Sequence, residues 1–414
     1  MANAYASPKI YANAGLKLLK NNLVLAKLVD TESLDKEFTS ERGGGKPGGT
    51  VYVKRPPELL VRDGRVAQVQ EVLEGEVPVS IDKQKGVDVE FTSLEATLSL
   101  DEILKDKTAE AAMAQLATQI DLDLNDRLLE FPNWVGTPGQ LIDSPADFFK
   151  MPERMDELAI PNVGRIGLLS PPDRYALAGN ILANAAQQGS VARNALEEAR
   201  IPGLAGIDAY TGQTVPTLVT GTRTNGTVAG AGQNVAFTAV RNSFQQTLNV
   251  AGLGAAATVK RGEVFTIANV FAVNPRTKAQ LPFLAQFVVL ADATADGAGA
   301  AALTIANPII TSGAYQNVNS APANAAVVTW MGSASTAYRQ NAAFHKSSLK
   351  LVTARLVRPA SGECAFATDK DTGITIRYWR TSDGINDTHL HRWDVIYGTA
   401  NLDRRLGVRG SGTP

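Results

Sequence analysis

The chain has 414 residues, 40 basic and 41 acidic side chains, one cysteine and three histidines, with 44% apolar and only 6% aromatic residues. A net charge of -1 excludes a broadly basic nucleic-acid binder, which needs a Lys/Arg excess to displace counterions. A lone Cys364 excludes a disulfide framework and a cysteine-ligated zinc site within one chain, and His345, His389 and His391 leave little for a histidine-based metal centre. No signal sequence is expected, because residues 1–15 lack a continuous apolar core. The longest apolar run, Leu281 to Ala291, holds a proline and a glutamine and falls far short of the ~20 residues that span a bilayer. A soluble chain of two or three domains, made in a reducing compartment, follows as the expectation.

In chain order, Leu16, Leu19, Leu23 and Ala26 share one stripe of a short helix over 14–29. Residues 41–50 carry five glycines and a proline and read as a flexible joint. Val51 and Val53 alternate, as do Val77, Val79 and Ile81, then Val87, Val89 and Phe91. With Asp82–Gly86 as connector, these predict a two-stranded antiparallel arm that something else must cover. The strongest helix runs from Leu100 to Leu129, where Leu104, Ala112, Leu116, Ile120, Leu124 and Leu128 recur mostly four apart. Asp101 and Glu102 suit its first turn, and Pro132 stops it. Arg165–Leu169 reads as a strand, Pro171–Asp173 as a turn, and two alanine-rich helical stretches follow to about residue 200.

Charge density marks an insertion. Only 10 of the 130 positions in 214–343 are charged, against 71 of the other 284. Short β-prone runs such as Val264–Val273 and Ala285–Leu290, broken by Gly, Asn and Pro, predict a small all-β module, a barrel or sandwich. Beyond it, Leu349–Arg358, Gly373–Trp379 and His391–Tyr397 read as strands, and the last residues, GVRGSGTP, as a low-complexity tail.

No catalytic constellation emerges. Gly252-x-Gly254-x-x-Ala257 lacks the helix and the downstream acid that a dinucleotide site requires, and reads as a turn between strands. His389-x-His391 has no third histidine near it, so a hydrogen-bonded pair is preferred to a metal cluster. Cys364 reads as a small buried thiol. Asp121 and Asp123, on different faces of the long helix, read as solvated carboxylates. Arg62–Asp63–Gly64–Arg65 is either a solvated turn or, on a protruding arm, a source of ion pairs to a neighbouring subunit. A mobile N-terminal arm, a protruding hairpin and a very long helix together suit contact with neighbours.

Four stretches carry a resemblance. Ser170–Asp173 with Tyr175 and Gly179, and Ala205–Asp208 with Val215–Leu218, are two of them. Val259–Phe265 with Val273–Pro275, and Arg392, Asp394, Tyr397, Gly398, Gly407 and Val408, are the others. They resemble the major coat proteins of tailed bacteriophages with the HK-ninety-seven (Johnson) fold, and among these the P-twenty-two-type podophage coat proteins with an inserted β-barrel. The resemblance implies an α+β fold with an N-terminal arm (1–45), an extended loop and peripheral-domain strands (46–92) and a spine helix (93–135). An axial domain in two parts (136–213 and 344–414) would enclose the inserted barrel (214–343).

The implied function is a major capsid protein, not an enzyme and without cofactor or metal. Its copies would form pentamers and hexamers of an icosahedral shell that encloses double-stranded DNA without reading its sequence. A scaffolding protein and a portal are implied partners, a membrane is not, and synthesis falls in the bacterial cytoplasm. The other class open to this composition is a virion surface, decoration or receptor-binding protein. Candidate intersubunit contacts are Arg62, Asp63 and Arg65 on the loop, Leu16, Leu19 and Leu23 on the N-terminal stripe, and Arg241. Arg241 is the only charge on a short hairpin expected around Val240–Gln246.

Overall fold

In the computed structural model, which describes residues 7–33, 50–62, 64–67, 69–92, 107–185 and 205–414, the chain divides into two units. One takes Met1–Val51, Pro78–Leu124 and Leu349–Ala400, and the other Tyr52–Val77, Asn125–Ser348 and Asn401–Pro414.

A six-stranded sheet organises the first unit. Its order is β1 (Asp30–Ser33), β19 (Leu349–Ala354), β22 (Thr388–Asn401), β21 (Thr375–Asp383) and β20 (Glu363–Thr368), with β4 (Lys83–Thr92) also paired to β22. Nearly every residue of β22 from Trp393 onward is buried, the mark of a strand covered on both faces. The expected hairpin between 77–81 and 87–91 does not form. β3 (Glu76–Ser80) pairs instead with β2 (Thr50–Lys54), and β4 runs antiparallel to β22 from Thr92 opposite Thr388 to Lys83 opposite Tyr397. Alternation identified these strands correctly, but a period of two carries no information about which strand lies alongside.

The N-terminal helix α1 spans Pro8–Asn22, starting earlier than expected because Pro8 occupies the first helical position, where its missing N–H costs nothing. Tyr11, Ala12, Gly15 and Leu19 face inward, and α1 packs on β20 and β21 with Tyr11 stacked on Tyr378 at 5.2 Å. The spine helix α2 is described over Lys107–Asn125, about 28 Å long. Residues 93–106, where the expected helix begins, lie outside the described residues. Its end also differs, since a 3-10 turn, Asp126–Glu130, replaces the last expected α-helical turn. Of the expected stripe, Ala112, Leu116, Ile120, Leu124 and Leu128 are buried, and Met113 and Ala117 join them.

Asp121 lies on that same stripe, four residues after Ala117, and is buried. Its carboxylate accepts from Val24 N at 2.7 Å and Ala26 N at 3.0 Å, fixing the 3-10 turn Leu25–Lys27 that follows α1. Burial raises its pKa, while these backbone donors work the other way. Asp123 accepts from the Tyr397 hydroxyl at 2.7 Å and pairs with Lys83 at 3.2 Å. Neither aspartate is a simple solvated group, which corrects the sequence reading.

The second unit contains a mixed five-stranded sheet ordered β5 (Asn133–Val135), β23 (Gly407–Gly410), β18 (Asn341–His345), β6 (Arg165–Leu169) and β7 (Asp208–Thr211). Helices α3 (Pro145–Glu157) and α4 (Pro171–Ala185) supply Phe148, Met151, Met155 and Leu177 to a core shared with Ile142, Leu169 and Val408. Ser144 caps α3 by accepting from Asp147 N at 3.2 Å, and Pro145 follows it. The second alanine-rich stretch expected before residue 200 lies outside the described residues. The supposed low-complexity tail is a correction: Gly407–Gly410 is a buried internal strand. A Cβ on Gly407 would sit 2.5 Å from the Phe131 ring, so this glycine serves close packing and not flexibility.

The barrel is closed, in the order β10 (Gln245–Ala251), β15 (Ala301–Ala306), β13 (Gln280–Val289), β12 (Val264–Val273), β16 (Val327–Trp330) and β9 (Gly226–Val228). Closure leaves no free edge, and alternate residues such as Leu248, Val250, Phe265, Ile267, Leu303 and Ile305 fill the interior. Two short ribbons flank it: β8 (Thr217–Val219) with β17 (Ala337–Arg339), and β11 (Thr258–Val259) with β14 (Ala293–Thr294). Because β8 and β17 pair antiparallel, the chain enters and leaves the barrel at one place. Glu263 is buried at the β11–β12 turn, where it accepts from Gly221 N and Lys260 N and pairs with buried Arg223. The expected early hairpin is a short helix, α5 (Phe237–Val240), followed by a turn with Phe244 at φ 49°. The fold is therefore α+β with a closed barrel. Among the described residues, no helix is long and apolar enough to cross a membrane.

Candidate intersubunit surface

Between β2 and β3 the described chain is irregular, and both limbs of this excursion are fixed at their root. Arg55 N donates to Gly75 O at 2.7 Å, and Lys54 pairs with Glu74 at 2.7 Å. Arg55 Nε donates to Leu402 O at 2.7 Å, and the Arg55 and Arg405 guanidiniums lie 4.9 and 4.8 Å from the centre of the Phe244 ring. Burial lowers the pKa of Arg55 to about 10. Glu58 pairs with Arg405 at 2.7 Å and with Lys278 at 3.6 Å. The Tyr315 hydroxyl accepts from Glu58 N at 3.2 Å and donates to Leu73 O at 2.6 Å. Its ring stacks on Phe237, within an apolar cluster that also takes in Val240, Phe244, Ile310 and Leu73. Gly75 is required here, because a Cβ would come within 2.4 Å of Arg241 O.

Beyond the root the loop turns its apolar side chains outward. Leu59, Leu60, Val66 and Val72 are exposed, and Val61 and Val69 are 96% and 97% exposed. Six apolar side chains on one excursion exceed the scattered single exposures of ordinary surfaces. The Gln70 carboxamide bridges to the backbone of Leu60, accepting from its N at 2.8 Å and donating to its O, so the two limbs stay side by side. Arg62 donates to Gly64 O, and Arg65 is exposed beside it. Asp63 lies outside the described residues.

The remaining candidates divide. Arg241 is exposed, one residue past α5. Leu16 is half-buried, whereas Leu19 and Leu23 are buried inside their own chain and present no surface to a neighbour. The stripe marks the inner face of α1, because helical periodicity finds an apolar face without saying whose core it joins.

The chemistry-bearing residues read from sequence resolve into structural contacts. The His391 ring shares a 2.7 Å hydrogen bond with the Tyr378 hydroxyl, and burial lowers its pKa to about 4, leaving it neutral. His389 pairs with Ser382 at 3.0 Å. Cys364 is buried, which pushes its thiol up. Gly252 and Gly254 sit in the turn between β10 and β11. Among the described residues, no three His, Cys, Asp or Glu side chains gather to hold a metal.

Sequence reasoning missed the buried charge clusters. Glu130 receives Arg404 Nε at 2.8 Å, Arg261 Nη2 at 2.9 Å and Arg127 Nη1 at 3.0 Å. Arg409 is buried in β23, where Nη1 donates to Gly262 O at 2.8 Å and Gln340 Oε1 at 3.0 Å. Burial lowers its pKa to about 9. Only the Arg127–Glu130 spacing left a local signal; the other partners lie 69 to 274 residues away.

What the described residues offer is an exposed apolar loop clamped at its root, with no three metal-ligating side chains gathered together. The family described as "P22 coat protein - gene protein 5" matches residues 62–412. Similar solved structures include one from Mycobacterium phage Che8, 14% identical over 94% of this chain and 90% of that one, TM-score 0.47. The capsid structure of the Cyanophage P-SCSP1u is 9% identical over 95% and 88%, TM-score 0.46. The CUS-3 coat protein I-domain is 25% identical over 26% of this chain and 96% of its own, TM-score 0.20. No curated protein matches the chain. The chain belongs to the P22 coat protein family. It is a major capsid protein, a structural component of the virion shell that associates with copies of itself, and not an enzyme.

Proposed function

We propose that this chain closes an icosahedral head of pentamers and hexamers, in which the loop tip of one subunit grips its neighbour. The observation that carries this reading is the run of exposed leucines and valines between Leu59 and Val72 on limbs clamped at their base. Apolar area of this kind gains free energy only when covered, and a second copy of the chain is the partner present at matching concentration. Arg62, Asp63 and Arg65 at the tip, with Arg241 near the root, would add charge pairing at the rim of that contact. The near-neutral chain contains double-stranded DNA without reading it, and a scaffolding protein and portal complete the head, made in the host cytoplasm. The test is deletion of residues 59–72. Folded, soluble subunits that form no shells are expected by circular dichroism and electron microscopy; normal shells would refute the reading.

The division of labour we propose is an N-terminal arm (1–45), loop and peripheral strands (46–92), spine (93–135), a two-part axial domain (136–213, 344–414) and the inserted barrel (214–343). The barrel core is drawn wholly from residues 228–330, and the paired β8 and β17 bring the ends of the insert together. Expressed alone, 214–343 should give a dispersed amide spectrum and one cooperative melt. Clustered amide peaks with no transition would show that the segment depends on its host.

A further inference from the structure

The inserted domain touches the loop through the Tyr315 hydroxyl and the Lys278 ammonium. The single Tyr315 hydroxyl joins the outgoing limb at Glu58 N to the returning limb at Leu73 O. Glu58 is held between Arg405 of the C-terminal segment and Lys278 of the β12–β13 turn. Lys278 also donates to Ala314 O and Gln316 O, the residues on either side of Tyr315, so the groups that hold the Glu58 carboxylate and its backbone N–H are tied to each other within the insertion. Stacking on Phe237 fixes the Tyr315 ring. Gly75 then brings the returning limb against the backbone of Arg241.

From this arrangement we infer that the inserted barrel aims the intersubunit loop, with Tyr315 and Glu58 as the positioning residues that set the angle between neighbouring subunits. The inference rests on the loop tip being the gripping surface. The leverage is geometric. Each limb beyond the root is about seven residues, a reach of roughly 23 Å when extended, so a 10° tilt at the root moves the tip by about 4 Å. That displacement approaches the spacing between neighbouring strands, enough to place Val61 and Val69 against the wrong partner groups. A curved shell multiplies any error in this angle over every subunit, so the clasp controls curvature and diameter more than it controls the stability of one chain.

The test compares Tyr315→Phe and Glu58→Gln in the full chain with the parent and with the 59–72 deletion. The phenylalanine keeps the ring stack and removes only the bridging hydroxyl; the glutamine keeps the shape and removes the charge. Both variants should be folded by circular dichroism. Amide exchange at Arg55 and Leu60, whose N–H groups donate to Gly75 O and the Gln70 carboxamide, should accelerate at least tenfold, while β12 and β13 exchange as in the parent. Assembly products should shift from one diameter to a mixture of sizes, open sheets or tubes. Folded variants whose shells keep the parental diameter and whose loop exchange is unchanged would overturn the inference. If the deletion abolishes shells while both point variants assemble normally, the aiming role alone fails. If the deletion itself assembles normally, the gripping surface fails and the aiming role with it. Should Tyr315→Phe not fold, Glu58→Gln decides.

Discussion

Glu130→Gln is expected to destabilise the subunit by about 3–5 kcal/mol, the range for removing one partner of a buried ion pair. Glu130 is 4% exposed at the end of the 3-10 turn after α2 and receives three guanidiniums, from Arg404, Arg261 and Arg127. Asn401 donates from farther away, at 3.4 Å. Burial alone would raise this carboxyl, but Arg404, Arg127 and Arg261 together override it and hold its pKa at about 2, against an ordinary 4.5. The folded value lies below the unfolded one, so the stabilisation is complete above the unfolded pKa. It is lost as pH falls from about 4.5 toward about 2. Glutamine matches the shape but leaves the guanidiniums without their shared charge, although Arg261 keeps a second carboxylate, Asp126, at 2.8 Å. Urea denaturation of unassembled subunits at pH 7 checks the loss. Stability unchanged within about 0.5 kcal/mol, the scatter of ordinary surface substitutions, would show that the cluster is solvated and electrostatically idle.

That cluster also shows where the sequence stops being readable. Patterns with a local period were legible: the α2 stripe, strands β6, β12 and β21, and the drop in charge that announces the barrel all follow from side chains a few residues apart. Pairing was not legible, because β4 could alternate equally well beside β3 or beside β22, about three hundred residues away. The buried polar groups were hidden for a related reason. Asp121 breaks the apolar pattern of α2 and so looks solvated until Val24 and Ala26 are brought above it. Its spacing from Ala117 placed it on the buried face and was the one available hint. Glycine misled in the opposite direction. In 407–410 it suggested a loose tail, although the same residue type is what allows a strand to lie against Phe131 and Met151. At the candidate contact surface the extended loop was implied only by the family resemblance, and the Tyr315–Glu58–Arg405 clasp joins three segments no local pattern connects.

Ile120→Asp should produce insoluble protein and no shells, while Ile120→Val should remain soluble with a loss of about 0.5–1.5 kcal/mol. Ile120 is 1% exposed on the stripe formed with Met113, Leu116, Ala117 and Leu124. The aspartate removes a buried apolar side chain and adds a carboxylate in its place, a combination that costs several kcal/mol when no donor answers the charge. The neighbouring position shows why the donor decides the outcome. Asp121 is tolerated one residue further along the same buried face because two backbone N–H groups, at 2.7 and 3.0 Å, have left their own chain hydrogen-bonding free to meet it. Ile120 belongs to the regular part of α2, where the helix engages its own N–H groups, and Leu116, Ala117 and Leu124 beside it on the stripe are aliphatic. Raising the pH from 5 to 8 should therefore worsen the Ile120→Asp variant, since ionising the carboxyl enlarges the desolvation cost. Soluble Ile120→Asp subunits that melt with the parent and assemble would mean that this face of α2 is not the core of the unit.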